Sequence, residues 1–244
     1  MPIEGRGRES ADARIRLGMV GGGEGAFIGA VHRLAARMDD HYVLVAGALS
    51  STPEKAQRSG KALGLAPDRI YDDFETMAME EAKRKDGIEA VAIVTPNDTH
   101  APASKAFLKA GIHVICDKPL TLNLKEALSL EKAVKQSGKI FALTHNYTGY
   151  PMARHARAMV KAGDLGEIRV VQVEYPQDWL TEKIEDTGQK QAVWRNDPKR
   201  AGAGGCLGDI GTHAHNIAAL VTGLELESLS ADLTSFVKGR KLDD

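Results

Sequence analysis

The chain has 244 residues, 43% apolar and 27% charged, with a formal net charge of −1. That length can bury a sizeable core, and the near-zero charge gives no reason to expect nucleic acid or a membrane surface as partner. Its two cysteines, Cys116 and Cys206, make no disulfide framework, and no apolar run approaches a membrane span, so a reducing cytoplasm is the expected compartment.

The first residues, MPIEGRGRESADAR, are polar and mixed in charge, with no apolar stretch of the secretory kind; residues 1–13 read as a disordered leader. Apolar runs then recur at 15–20, 42–49, 90–95, 113–118 and 140–146. Their near-continuous apolar character predicts strands buried on both faces, as in a parallel sheet. Helical patterns fall between and after them, at about 28–38, 53–63, 74–84, 99–109 and 123–137. In the first helix Ile28, Val31, Leu34, Ala35 and Met38 form one stripe at helical spacing. Thr52, Asn97 or Asp98, and Thr121 or Asn123 stand where helix N-caps belong, and Gly111 and Gly138 where helices end. This alternation predicts an α/β fold, a doubly wound parallel sheet with right-handed crossovers.

The rhythm changes after about residue 148. A helix over 150–161 leads to a strand over 167–175, a long polar loop over 176–203, a glycine cluster and an apolar helix to about Leu220. Residues 226–237 read as a last alternating strand. Two strands and a loop make no stable sheet alone, so the second domain reads as C-terminally truncated. The expected organisation is a doubly wound, Rossmann-type α/β domain over 14–148 and the start of an α+β open-sheet domain over 149–244. If the chain ends at Asp244, its last strands are expected to leave an open edge of unpaired N–H and C=O groups.

GMVGGGEGAF, residues 18–27, lies between the first strand and the first helix. Gly21-x-Gly23-x-x-Ala26 fits the dinucleotide fingerprint with alanine in the third place. Gly21 permits the tight turn, Gly23 lets backbone approach a pyrophosphate, and the helix N-terminus supplies N–H groups and partial positive charge. A strand–helix turn without a ligand is the alternative. At the end of the second strand, where an acid commonly binds the adenosine ribose, stand Ser50 and Ser51, followed by Lys55 and Arg58. With no carboxylate to repel a 2′-phosphate, the cofactor expectation is NADP or NAD, tilted toward NADP. Lys55 and Arg58 also suit a solvated helix face. Thr95, Pro96, Asn97 and His100 end the third strand, where ligands sit in such sheets; a capping Asn and a surface His are the plainer reading. Lys118, between Asp117 and Pro119 at the mouth of the fourth strand, is placed for acid–base chemistry, or snorkels to water.

With these segments the chain resembles the glucose–fructose oxidoreductase/inositol dehydrogenase family, Gfo/Idh/MocA. The resemblance runs from about residue 14 to the end, on GMVGGGEGAFIGAVHR, TPNDTH, CDKPLTLNLKEA, THNY and WRNDPKRAGAGGCLGDIGTHAHN. Asp117 departs from the family's usual glutamate. The resemblance implies that Lys118 is the catalytic lysine and that Asp209 and His213 are the Asp-x-x-x-His pair, one helical turn apart. It further implies that Asn97, His100, Asp117 and Asn146 touch the cofactor and that Trp194 and Arg195 lie near it. The function implied is NAD(P)-dependent hydride transfer at a secondary alcohol of a sugar, cyclitol or related polyol; the alternative is a non-catalytic NAD(P)-binding regulator. The expected partners are a small polyol and, in a full-length protein, further copies of the chain as a dimer or tetramer. A metal site of Asp209, His213 and His215 has less support, because His215 falls off the shared face. Cys206 reads as a small packing residue, and Gly204–Gly205 as a place where backbone approaches the cofactor. Gln177, Asp178 and Trp179 in the polar loop could read sugar hydroxyls.

Overall fold

A computed structural model describes residues 14–244; the expected leader lies outside them. Five strands, β1 (Ile15–Gly21), β2 (Tyr42–Ala48), β3 (Ala90–Val94), β4 (His113–Asp117) and β5 (Phe141–Thr144), form one sheet in the order β2-β1-β3-β4-β5. The β1–β2, β1–β3 and β3–β4 pairs are parallel. Between the strands run α1 (Ile28–Met38), α2 (Pro53–Ala62), α3 (Phe74–Lys83), α4 (His100–Lys109) and α5 (Leu124–Ser137). All five residues of the central β3 are buried, as continuous apolar character requires. Ala90, Ala92 and Val94 join Leu17, Met19, Leu49 and Leu65 in one core cluster on the sheet.

The strand order reverses direction between β1 and β3. Gly21 pairs with Val94, so the carboxyl ends of both strands meet at this switch point, the place where open α/β sheets bind ligands. The first unit, which runs up to Thr95 and takes in His100–Cys116 and Ser129–Ala142, carries this crevice. A buried clasp also ties α3 to the turn before it. The Glu81 carboxylate accepts from the Arg69 guanidinium, from the Tyr71 hydroxyl at 2.8 Å and from the Ile88 N–H at 3.0 Å.

Two expectations about the helices change. The α1 stripe faces outward: Val31, Leu34, Ala35 and Met38 are exposed, and only Ile28 of the five packs against the core. The inner face carries Gly29 and Ala36 beside Ile28, and at Gly29 the helix lies too close to Gly22 for any side chain. Thr52 is the N-cap of α2 but its side chain makes no cap bond, whereas the unforeseen Asp73 caps α3 through the Thr76 N–H at 2.7 Å. Asn123 caps α5 through the Glu126 N–H at 3.0 Å.

The second unit comprises Pro96–Thr99, Asp117–Leu128 and Leu143–Asp244. It holds α6 (Pro151–Ala162), α7 (Lys190–Arg195), α8 (Pro198–Ala201) and α9 (Thr212–Thr222), with α6 packed on α9. The stretch 176–203 is therefore not one loop: it contains α7, α8 and a 3₁₀ turn, Ile184–Thr187. Residues 167–175 and 226–237 form no strand, because no neighbouring strand pairs with them among the described residues. Val170, Leu226, Leu229, Leu233 and Phe236 are correspondingly exposed.

Candidate active site

In the first unit β1 ends at Gly21, and Gly21 and the following Gly22 have φ of 78° and 73°. Such angles are strained for any residue with a Cβ. A Cβ on Gly21 would stand 2.8 Å from the Val94 carbonyl oxygen. Gly23 donates its N–H to the Leu49 carbonyl at 3.2 Å, Glu24 donates to Ser59 Oγ at 3.0 Å, and Ala26 donates to the Gly23 carbonyl at 3.0 Å. A Cβ on Gly23 would meet the Leu49 oxygen at 2.6 Å, so this glycine is required by the approach of the β2–α2 junction. The role of close helix packing falls to a residue the fingerprint omits. A Cβ on Gly29 would lie 2.4 Å from Gly22 Cα.

No side chain caps α1 and no acid occupies its first turn, so its N-terminus keeps its positive end for an anion. Beside Gly21 the Thr95 hydroxyl oxygen is buried without a hydrogen-bond partner. A shaped glycine turn, an uncapped helix start and an unsatisfied hydroxyl at the switch point fit a dinucleotide phosphate. Ser50 Oγ accepts from the Thr52 N–H at 3.2 Å, and Ser51 is exposed. Arg58 pairs with Glu24 at 3.2 Å, which leaves Lys55 as the cation nearest Gly25. His100 is fully buried against the Thr95 carbonyl at 3.0 Å. It therefore locks this turn and presents no surface to a ligand.

The second unit gathers the acid–base groups. Lys118 Nζ donates to Asp209 Oδ1 and to the Asp209 carbonyl, each at 2.8 Å. Arg195 Nε donates to the other carboxylate oxygen at 2.9 Å, and its guanidinium lies over the Trp194 ring at 4.2 Å. Burial pushes the Asp209 carboxyl up, but the two cations outweigh it and hold the group below its ordinary value. Asp209 is thus an ionised bracket between two cations.

His213 lies four residues on, 6% exposed, in the first turn of α9. Asp209 itself sits in a π-helical turn, Leu207–Gly211, that the i, i+4 spacing did not foretell. Around the His213 imidazole stand His145 at 5.7 Å between ring centroids, Tyr147 at 4.7 Å and Tyr175 at 6.5 Å. Burial, then the Lys118 charge and His145, lower the His213 pKa to about 4. Burial and Lys118 lower His145 in the same direction. The Tyr147 and Tyr175 hydroxyls are hydrogen-bonded to each other, and burial with that bond raises Tyr147 to about 12. A cleft of about 220 Å³ is lined by Tyr147, Val173, Glu174, Tyr175, His213, Ala214 and Ile217. At neutral pH it therefore faces a neutral imidazole and the neutral Tyr147 phenol.

Asp117 Oδ1 accepts from the Lys118 N–H at 2.8 Å and from Thr144 Oγ1 at 3.1 Å, which fixes the backbone that carries the lysine. Asn97 donates its side-chain amide to the Ala201 carbonyl at 2.9 Å, holding the turn before α4. Pro96 is half-buried and Asn146 is exposed on a 3₁₀ turn, Asn146–Gly149. His215 is exposed, away from His213. Among the described residues no group of three or more His, Cys, Asp or Glu side chains could hold a metal ion.

Two family models match the chain: the oxidoreductase family with an NAD-binding Rossmann fold over residues 15–145, and the GFO/IDH/MocA C-terminal domain over residues 153–244. The chain belongs to the Gfo/Idh/MocA oxidoreductase family. It is 38% identical to the oxidoreductase YfiI of Bacillus subtilis over 93% of its own length and 58% of that protein's. An oxidoreductase structure from Sinorhizobium meliloti shares 61% identity at a TM-score of 0.81, covering 95% of this chain and 58% of that one. An inositol dehydrogenase homolog from Azotobacter vinelandii, complexed with NAD+, shares 40% identity at a TM-score of 0.83, covering 87% and 54%. The chain thus spans a little over half the length of these relatives.

Sequence reasoning missed Gly29, His145, Tyr147 and Tyr175 as members of these sites. The THNY segment was a signal for His145 and Tyr147, since it ends a strand on the same edge as Lys118. No helix among the described residues is long and apolar enough to cross a membrane.

Proposed function

We propose that this protein transfers hydride between a nicotinamide dinucleotide and a secondary alcohol of a sugar, cyclitol or related polyol. One observation carries the reading: a neutral, buried imidazole lines a cleft beside the Lys118–Asp209–Arg195 ion cluster. Gly21, Gly23, Ala26 and Thr95 would hold the dinucleotide, with Ser50, Ser51 and Lys55 facing its adenosine end. When bound, the nicotinamide supplies the hydride acceptor or donor.

The chain's own residues manage the proton. His213, neutral at pH 7, accepts the hydroxyl proton of the substrate at Nε2, since Nδ1 is buried. The Lys118 ammonium orients the substrate oxygen and stabilises negative charge growing on it. Asp209 keeps that ammonium in place, and Arg195 keeps Asp209 in place. The cofactor proposed is NADP at least as readily as NAD, because no carboxylate ends β2. Nicotinamide reduction across a panel of neutral polyols, beside cofactor binding followed by fluorescence, tests the reading. Cofactor binding without turnover of any polyol would replace it with a binding or regulatory role.

A further inference from the structure

The turn that carries Asp209 has no cap of its own: Cys206, at its N-cap position, makes no side-chain cap bond. Its first N–H groups are satisfied from far along the chain. Asp243 Oδ1 accepts from Gly205 N–H at 2.6 Å and Oδ2 from Leu207 N–H at 2.6 Å, while the Asp243 carbonyl accepts from Cys206 N–H at 2.9 Å. One residue therefore receives three successive backbone donors. The Asp209 N–H then closes onto the Gly205 carbonyl at 2.9 Å. The fit is close enough to demand glycine: a Cβ on Gly205 would stand 2.1 Å from the Asp243 oxygen. The close approach expected at Gly204–Gly205 is thus to this chain's own backbone.

Asp243 is itself anchored. Leu242 before it is buried, and the Leu242 carbonyl accepts from Ser235 Oγ at 2.9 Å. The Arg240 side chain is 1% exposed; it donates to Glu185 at 2.9 Å and to the Leu180 and Glu182 carbonyls at 2.6 and 2.9 Å. The segment 240–244 is a clasp with one end on the 180–185 stretch and the other on the start of the π-turn.

We infer that Asp243 is a positioning residue, which sets the Asp209 carboxylate against Lys118 and Arg195 by holding the backbone N–H groups of residues 205–207. Its bearing on turnover rests on the hydride-transfer reading above. The charge suits the task, because a carboxylate at a helix start meets both unsatisfied donors and the positive end of the dipole. Asn in its place keeps one acceptor oxygen but turns an N–H₂ group toward a backbone donor, so even this near-isosteric change should let the turn move.

The test uses the full chain with Asp243→Asn, Asp243→Ala, Gly205→Ala and Asp209→Asn, alone and with Asp243→Asn combined with Asp209→Asn. Displacing a reacting constellation by about 1 Å costs up to ~100-fold in rate. The expectation is a fall in kcat of ~10–100-fold for the Asp243 variants and for Gly205→Ala, with cofactor Kd unchanged. If Asp243 acts through Asp209, Asp243→Asn should cost little more in the Asp209→Asn background. Full multiplication of the two losses, or a lower Tm with wild-type kcat, would overturn the inference. Hydrogen exchange gives a readout free of substrate: amides 205–209 should lose protection together in Asp243→Asn while α6 keeps its own. Unchanged protection there would also overturn it. If the unmodified protein turns over no polyol, the functional reading fails alone, and the exchange experiment still decides whether Asp243 holds the turn.

Discussion

Acidifying the folded protein tests the electrostatics of the His213 pocket directly. The imidazole titrates at about 4 in the fold against an ordinary value of 6.5, chiefly because burial disfavours its charged form. Lys118 and His145 add to the depression, while Asp209 and Asp117 oppose it; the Tyr147 and Tyr175 rings pack around the imidazole. The sign follows from proton counting. Between these two pKa values the unfolded chain binds a proton that the native state refuses, so stability rises with pH across that window. The contribution is complete above pH 6.5, is reduced by about 2 kcal/mol at pH 5, and has fallen by about 3 kcal/mol once both states are protonated. Asp209 acts in a lower window, since its depressed pKa withdraws stability only as pH falls below the ordinary carboxylate range. Urea unfolding at pH 7, 6, 5 and 4.5, compared between the wild type and His213→Gln, isolates the imidazole. The wild type should lose more stability on acidification than the variant, by about 2 kcal/mol between pH 7 and 5. Parallel stability curves for the two proteins would mean that His213 is not held neutral by its surroundings.

Lys118→Met and His213→Ala should each lower turnover by ~10²–10⁴-fold, with cofactor affinity little changed for His213→Ala; near-normal rates in steady-state assays would remove both from the chemistry. Ser50→Asp should shift cofactor choice toward NAD through repulsion of a 2′-phosphate, read as the ratio of kcat/KM for the two dinucleotides. A preference of at least ~10-fold for NAD in the unmodified protein would count against an NADP-tolerant end of β2. Gly29→Ala, whose new Cβ would meet Gly22 Cα at 2.4 Å, should destabilise by about 1–3 kcal/mol and weaken dinucleotide binding together. An unchanged melting temperature and cofactor Kd would show that α1 can move aside without cost.

The sheet was legible because its strands are near-continuously apolar, and the central β3 is buried on both faces from Ala90 to Val94. The elements of the second unit were less so. Residues 167–175 and 226–237 carry strand-like composition, yet a strand exists only where a neighbour accepts its N–H groups, and among the described residues none does. The α1 stripe misled for a related reason. Periodicity shows that apolar residues share a face, but not which face meets the sheet, and at Gly29 the closeness of Gly22 excludes side chains altogether.

Lys118, Asp209 and His213 were visible by type and motif, whereas what sets their chemistry was not. Nothing in the spacing of Asp209 and His213 reveals a π-helical turn, which rotates the carboxylate relative to an α-helical i, i+4 pair. As a result the carboxylate bonds Lys118 and Arg195 rather than His213, and the imidazole lies among aromatic rings. That separation has a chemical consequence. An Asp–His hydrogen bond would raise the imidazole pKa and favour its protonated form. With the carboxylate committed to two cations, the histidine stays neutral and able to take a proton, and the lysine stays fixed as the cation beside it. The proposed division of labour thus rests on one extra residue in a helical turn, and on Asp243, which holds the start of that turn from the far side of the unit's sequence.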